Sequence, residues 1–234
     1  MRGMDDDRVE LSGFHAVKHA IRFGAEDLAV WTDDRSKVMA LCELLAPDVR
    51  EPLDLALVEV SADDMGVLTD YAHPTHVLGR ARRPSGGITG ASGRAPVVHL
   101  HHPVDPGNVG AVVRVGAAVG LDAVTVDGFD QLWAPACLRG SAGLHFALPV
   151  RSCALEEVAG ERAVVAFDPE GVPFEPATID AAAVLVFGSE RTGLPDDVLE
   201  VADAVVALPM ADGVSSLNLA TSVAAATYAV KLAV

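Results

Sequence analysis

Aromatic residues are scarce in this chain: they make up 5% of 234 residues, although half of the sequence is apolar. A core built without large rings must come mainly from Val, Leu and Ala. Cysteine is also rare. The three residues Cys42, Cys137 and Cys153 are scattered, odd in number and without metal-ligand spacing. That excludes a disulfide framework and suits a reducing, cytoplasmic compartment. Long hydrophobic runs are missing too. Residues 1–8 are acidic and polar, so no secretory signal is expected. The most apolar stretch, 217–234, is interrupted by Asn218, Thr221, Ser222, Thr227 and Lys231. A membrane span needs about 20 predominantly apolar residues, so no membrane association is expected. Basic residues are few, 17 Lys and Arg against 33 Asp and Glu, for a net charge of −16. Taken alone, that balance opposes a polyanionic partner, because phosphate backbones are bound mostly through Lys and Arg. Its distribution differs from its sum. Residues 71–104 contain no acid but hold Arg80, Arg82, Arg83, Arg94 and five histidines, a local strip able to steer a polyanion.

What is present is an alternation of strand and helix patterns. Residues 11–23 place Phe14, Val17, Ala20 and Ile21 at the spacing of a buried helical face. A strand at 27–31, a helix at 37–45 and strands at 55–60 and 76–81 complete a small α/β unit, residues 1–83. The stretch RPSGGITGASGR is rich in Gly, Ser and Pro without apolar periodicity, and residues 84–95 read as a linker. From 96 to 234 the alternation is regular. Strands are expected at 96–100, 123–126, 146–150, 163–168, 183–188 and 204–208. Helices are expected at 109–119, 135–141, 155–158, 196–201 and 216–232. Strands apolar on both faces, separated by helices, specify a parallel sheet covered on both sides. Ligands then bind where loops leave the carboxyl ends of the strands.

Three such loops carry unusual polar residues. In DPGNVGAVVR, residues 105–114, Asn108 suits a helix N-cap, and Arg114 falls within an apolar run, needing a partner, an anionic ligand or a path to water. In FGSERTGLP, residues 187–195, Gly188 ends a buried strand two positions before Glu190. That carboxylate can receive a ligand amine, hold Arg114 or face solvent at a helix start. In LPMADGVSSLN, residues 208–218, Ser215 or Ser216 can cap the last helix. Asn218 then occupies a first-turn position that its helix propensity does not favour.

In this order and spacing the motifs resemble those of the SpoU (TrmH-like) family of RNA ribose 2′-O-methyltransferases, in the SPOUT superfamily. Asn108, Gly110 and Arg114 match its first motif. Gly188, Ser189, Glu190, Gly193 and Leu194 match its second, G-S-E-x-x-G-L. Pro209, Met210, Ser216, Leu217 and Asn218 match its third. Residues 139–149, R-x-S-A-G-x-x-F-x-L-P, are also family-like.

The resemblance implies an α/β fold whose parallel sheet ends in a C-terminal trefoil knot, an exception to the rule against threaded chains. The knot would be formed around 188–193 and 208–218. It further implies S-adenosylmethionine as cofactor, held by Gly188, Leu208 and Leu217 and lined by Met210 and Leu219. Arg114 would act on the 2′-hydroxyl or clamp the adjacent phosphate, with Asn108, Glu190, Ser216 and Asn218 orienting it and the ribose. A homodimer is implied, packed through the first-motif helix and the last helix by Gly116, Ala117, Ala224 and Ala225. No metal is required, because the leaving group is neutral. The N-terminal unit resembles the family's small RNA-recruiting domain, which favours ribosomal RNA over tRNA and makes Lys18, Arg22, Arg80, Arg82 and Arg83 candidate phosphate contacts. Three rival readings are a tRNA ribose methyltransferase, a non-catalytic RNA-binding or ribosome-assembly factor on the same fold, and a metal hydrolase built on His99, His101, His102 and Asp105. For the last, satisfied or solvent-facing histidines are the expected alternative.

Overall fold

The computed structural model describes residues 7–69, 73–85 and 93–233. The chain divides into two compact units, residues 1–85 with 142–147, and residues 86–141 with 148–234. Most of the expected linker, residues 86–92, lies outside the described residues.

In the first unit, β1 (Arg8–Ser12), β2 (Ala29–Thr32), β3 (Leu57–Glu59) and β4 (Val77–Arg82) form a sheet in the order β1-β4-β2-β3. Only β2 and β3 run parallel. The helices are α1 (Phe14–Arg22), α2 (Arg35–Leu45), α3 (Arg50–Ala56) and α4 (Ala62–Leu68). The helical pattern read over 11–23 is in fact a strand followed by a helix. Gly13, at φ 91°, breaks it in a conformation that favours glycine. Val9 and Leu11 are buried from the strand, and Phe14, Val17 and Ala20 from the helix, so both kinds of face contributed to one apolar signal.

The second unit holds β5 (Val97–His101), β6 (Ala123–Asp127), β7 (Val150–Ser152), β8 (Val164–Pro173), β9 (Val184–Phe187) and β10 (Ala204–Ala207). All pair in parallel, in the order β10-β8-β9-β5-β6-β7. Alternate residues feed two cores. Val98, Leu100, Leu185 and Phe187 pack with α5 (Pro106–Val119), α6 (Pro135–Gly140) and α9 (Leu219–Ala233). Val97, Val184, Val186 and Ala166 pack with α7 (Leu155–Ala159) and α8 (Asp196–Glu200). Each fully buried Val or Leu contributes about 1.5–3 kcal/mol, which is how a valine-rich sheet manages with few aromatics. The expected strand at 146–150 is displaced: a 3-10 turn covers Leu144–Phe146, and β7 starts only after Pro149. Proline has no N–H to give a ladder, although its carbonyl accepts from Val124 N–H at 3.0 Å.

Close backbone packing fixes one glycine of the first motif. A Cβ on Gly110 would lie 2.2 Å from the Cys137 carbonyl oxygen and 2.9 Å from Gly140 Cα, so α5 and α6 meet backbone to backbone. Gly116, expected at a dimer interface, is instead enclosed by Val124, Leu121 and Leu148 within the chain. None of the three cysteines forms a disulfide, and burial pushes the Cys137 thiol up to about 12. Among the described residues no helix is long and apolar enough to cross a membrane.

Candidate functional site: three strand-end loops around one pocket

The middle of β8 and the carboxyl ends of β9 and β10 converge with the start of α9 on a pocket of about 580 Å³. Strand β8 makes it possible. Ala204 and Val205 pair with Val165 and Ala166, but Val206 and Ala207 pair with Val172 and Pro173. The residues between leave the β10 ladder, and Phe167, Asp168 and Pro169 form a wall of the pocket. Gly171 lets this return pass close to β10, since a Cβ there would lie 2.7 Å from Val206 backbone. Two of the few aromatic rings, Phe167 and Phe187, stack beside the site with centroids 4.5 Å apart at 9°. Sequence reading missed this wall. The D-P-E-G signal at 168–171 marks a turn, but β8 runs on through it.

The second motif forms a tight turn. Ser189 and Gly193 exchange N–H to C=O bonds of 3.2 and 2.9 Å. A Cβ on Gly188 would sit 2.2 Å from the Gly193 carbonyl carbon, so only glycine allows this closure. Glu190 is thereby aimed at the first motif. Its carboxylate accepts from Val104 N–H at 2.9 Å, Asp105 N–H at 3.3 Å and Asn108 Nδ2 at 2.9 Å. Partial burial alone would push Glu190 up, but the hydrogen bonds from Asn108 and the backbone N–H groups hold its carboxyl below the usual carboxylate range.

Both flanking helices are capped differently from the sequence expectation. Helix α5 starts at Pro106, three residues before the expected Val109, and its cap is Asp105, which accepts Asn108 N–H at 2.8 Å. Proline suits a first helical position because it lacks the N–H that would go unpaired there. Asn108 is therefore inside the helix, with its side chain free to reach outward. Helix α9 starts at Leu219, not Ser216. Asn218 is the residue that caps it, accepting from Ala220 and Thr221 N–H at 3.0 and 3.3 Å. The Asn218 amide then donates to Asn108 Oδ1 at 2.9 Å. Glu190, Asn108, Asn218 and the α9 N-terminus thus form one chain of hydrogen bonds running through all three motifs.

Of the expected site residues, Asn108, Glu190, Ser216 and Asn218 line the pocket, as do Gly188, Leu208, Met210, Leu217 and Leu219. Arg114 does not. It is exposed, six residues along α5 from Asn108 and so about 240° around the helix. Glu190 does not hold it, because all of that carboxylate's bonds go to the Val104–Asn108 segment. From Leu208 to Leu217 the sole backbone hydrogen bond among the described residues is Val214 N–H to the Ala211 carbonyl. Backbone groups of that segment remain available to the edge of a ligand.

The candidate phosphate contacts lie in the first unit, and several already have acidic partners. Arg22 holds Asp48 through Nε and Nη2 at 2.7 and 2.6 Å. Arg80 donates to the Leu68 carbonyl at 2.6 Å, lies 3.8 Å from Glu10 and sits over the Trp31 ring. Arg82 pairs with Asp27. Lys18 also has an interaction partner, and Arg83 is half-buried.

Comparison with known proteins adds the context. The 23S rRNA (guanosine(2553)-2′-O)-methyltransferase RlmP of Bacillus subtilis is 27% identical over 196 residues, covering 79% of this chain and 78% of its own. The 23S rRNA (adenosine(1067)-2′-O)-methyltransferase of Streptomyces azureus is 27% identical over 226 residues, 91% of this chain and 81% of its own. The chain spans about half the length of several other curated relatives. The crystal structure of the SpoU methyltransferase AviRb from Streptomyces viridochromogenes, in complex with AdoMet, superposes with a TM-score of 0.77. That match covers 97% of this chain and 90% of the other, at 23% identity, and establishes a shared α/β architecture around the parallel sheet. The model of the SpoU rRNA Methylase family matches residues 95–228, more than half of the sequence and all three motif loops, and the chain belongs to that family.

Proposed function

We propose that this chain transfers a methyl group from S-adenosylmethionine to a ribose 2′-hydroxyl of RNA, with ribosomal RNA as substrate class. The observation that carries this reading is the hydrogen-bonded chain Glu190–Asn108–Asn218, which ties all three family motifs to one pocket. The pocket fits the cofactor. Its volume of about 580 Å³ falls in the ~300–1,000 Å³ range of small-molecule sites. Free backbone groups between Leu208 and Leu217 suit the hydrogen-bonding edge of an adenine. When bound, the cofactor supplies an electrophilic methyl on a sulfonium.

Gly188, Leu208 and Leu217 hold the nucleoside through backbone groups, with Met210 and Leu219 as the apolar lining. Glu190 and Asn108 fix the first-motif loop against the second. Asn218 and Ser216 fix the third and face the ribose. Arg114 positions the 2′-hydroxyl by clamping the adjacent phosphate; a guanidinium does so readily and is a poor base. Much of the acceleration then comes from placement.

The position of Arg114 supports a homodimer, in which Arg114 of the partner subunit completes the pocket. Helix α9 supports it too: Ala225, Tyr228 and Leu232 form an exposed stripe at helical spacing, with Tyr228 43% and Leu232 81% exposed. The threading of residues 188–193 and 208–218 as a trefoil knot rests on family membership and on the likeness to AviRb. Residues 1–83 form the RNA-recruiting domain, 84–95 the linker and 96–234 the methyltransferase domain. The alignments to 23S rRNA enzymes that reach into the first unit support ribosomal RNA over tRNA. Exposed Arg–carboxylate pairs are worth about 0–1 kcal/mol, so Arg22, Arg80 and Arg82 can exchange their partners for phosphates, beside Lys18 and Arg83. Three reduced cysteines fit the cytoplasm.

The test is methyl transfer from labelled S-adenosylmethionine to total RNA, followed by mapping of the labelled nucleotide. Label in ribosomal RNA at an alkali-resistant linkage, lost in Arg114→Ala, is expected. Label confined to tRNA would move the substrate class. Cofactor binding without transfer to any RNA would convert the reading to a binding module.

A further inference from the structure

Outside the pocket, the carboxyl ends of β5 and β6 bring together three side chains with no part in methyl transfer. Parallel register pairs His99 with Thr125 and His101 with Asp127, and all four point to the same face of the sheet. His99 is fully buried. Its Nδ1 lies 2.9 Å from Thr125 Oγ1, whose hydroxyl is 3.4 Å from the Val98 carbonyl. With that hydroxyl donating to the carbonyl, Thr125 accepts the Nδ1 proton, and His99 Nε2 is left as a bare lone pair. It has no hydrogen-bond partner among the described residues. It faces Asp127 Oδ2 at 3.4 Å, and His101 Nδ1 is hydrogen-bonded to the same oxygen at 2.9 Å. Asp127 Oδ1 is occupied separately, by His102 N–H at 3.0 Å. The sequence expectation of satisfied histidines therefore fails at His99, and the acid beside the pair is Asp127, not Asp105.

A buried imidazole lone pair facing a carboxylate oxygen is repulsive unless a cation lies between them, and His101 Nδ1 can join the same cation by giving up its proton. We propose that His99, His101 and Asp127 bind a single divalent transition-metal ion of the zinc class, through His99 Nε2, His101 Nδ1 and Asp127 Oδ2. The donor set of two imidazoles and one carboxylate is that of zinc rather than of magnesium or calcium. The spacing agrees. One donor atom from each residue lies within 4.8 Å of the others. Bonds of about 2.0–2.1 Å in a tetrahedron require donors about 3.3–3.4 Å apart, against 3.4 Å for His99 and Asp127 and 2.9 Å for the hydrogen-bonded His101 and Asp127, a separation that a bound ion would open. The outer contacts are those expected of ligands, with Thr125 orienting His99 and the His102 backbone orienting Asp127. The side chains of His101 and Asp127 are 17% and 21% exposed, which leaves an entry path and a fourth position for water. The bound ion would pin the end of β5 just before the Val104–Asn108 segment that Glu190 holds.

The test needs neither RNA nor S-adenosylmethionine. The full chain is stripped with chelator, then titrated with zinc against a chromophoric competitor, and bound metal is counted by mass spectrometry. One zinc per chain is expected, with a rise in melting temperature on addition of zinc. Cobalt substitution should give the intense visible bands of a tetrahedral site. Asp127→Asn and His101→Ala should abolish binding, and Thr125→Val should weaken it about 10- to 100-fold. His102→Asn, which keeps the backbone donor, should bind as the native chain does. The two ligand variants alter partly exposed side chains, and cooperative melting checks their folding. Less than half an equivalent on the native chain would overturn the proposal and leave a proton shared between His99 and Asp127. Stoichiometric zinc unaffected by both Asp127→Asn and His101→Ala would overturn it equally.

Discussion

Asn218 donates its side-chain amide to Asn108 across 110 positions of sequence, at 2.9 Å, while its carbonyl oxygen caps helix α9. One residue thus joins the third motif to the first and starts the final helix. The Asn108 amide passes the connection to Glu190 in the second motif. Cofactor loop, helix start and first-motif loop are set by the same few atoms.

A double-mutant cycle on this pair should show coupling. Asn218→Ala removes a cap worth about 1 kcal/mol and a bridge worth about 0.5–1.5 kcal/mol. Asn108→Ala removes the bridge and one donor to Glu190. Urea unfolding of the single and double variants should be non-additive by about 0.5–1 kcal/mol. Strict additivity would mean the contact contributes nothing.

Glu190 should give stability a pH dependence of known sign. Its folded pKa lies below its ordinary value of 4.5, so its contribution is fully present above that value. It is lost as pH falls through the folded pKa. Glu190→Gln should therefore be less stable than the native chain at pH 7, with the difference shrinking below about pH 4.5. Denaturant midpoints at pH 7, 5 and 3 measure this; a constant difference would refute it.

Gly110→Ala should destabilise the second unit by about 3 kcal/mol, the upper end of overpacking costs. The added methyl meets a backbone carbonyl rather than a flexible side chain. Thermal melting would register the loss. An unchanged melting temperature would show that α5 and α6 can separate freely.

Arg114→Ala should separate stability from catalysis. The side chain is exposed and makes no contribution to the pocket of its own chain, so the stability change should stay within about 0.5 kcal/mol. Methyl transfer should fall at least about 100-fold, as kcat rather than cofactor affinity, because only positioning is lost. A matching loss of cofactor affinity would place Arg114 in the cofactor site instead.

Much of this was legible from residue order. Valine-rich segments of strand length alternating with helical ones specified the parallel sheet, the strand-end rule singled out three loops, and the family resemblance pointed to Gly188, Leu208 and Leu217 within them, which line one pocket. Local caps misled, since Asn108 and Ser216 looked like helix starts while Asp105 and Asn218 fill those positions. Short polar side chains are interchangeable as caps, and only the path of the chain selects one. The β8 wall was hidden because the turn-forming D-P-E-G residues mark a strand end, whereas β8 runs on through them and rejoins β10.

The sequence by itself determined the sheet, the two-sided burial and the three motif loops, because periodicity and turn chemistry act over a few residues. Only the tertiary structure decided which polar groups meet. It turned Glu190 toward Asn108 and away from Arg114, placed Arg22, Arg80 and Arg82 beside acids, and set His99 and His101 against Asp127. Such pairings depend on strand order and register, and these are fixed by the packing of the whole core rather than by any local stretch of sequence.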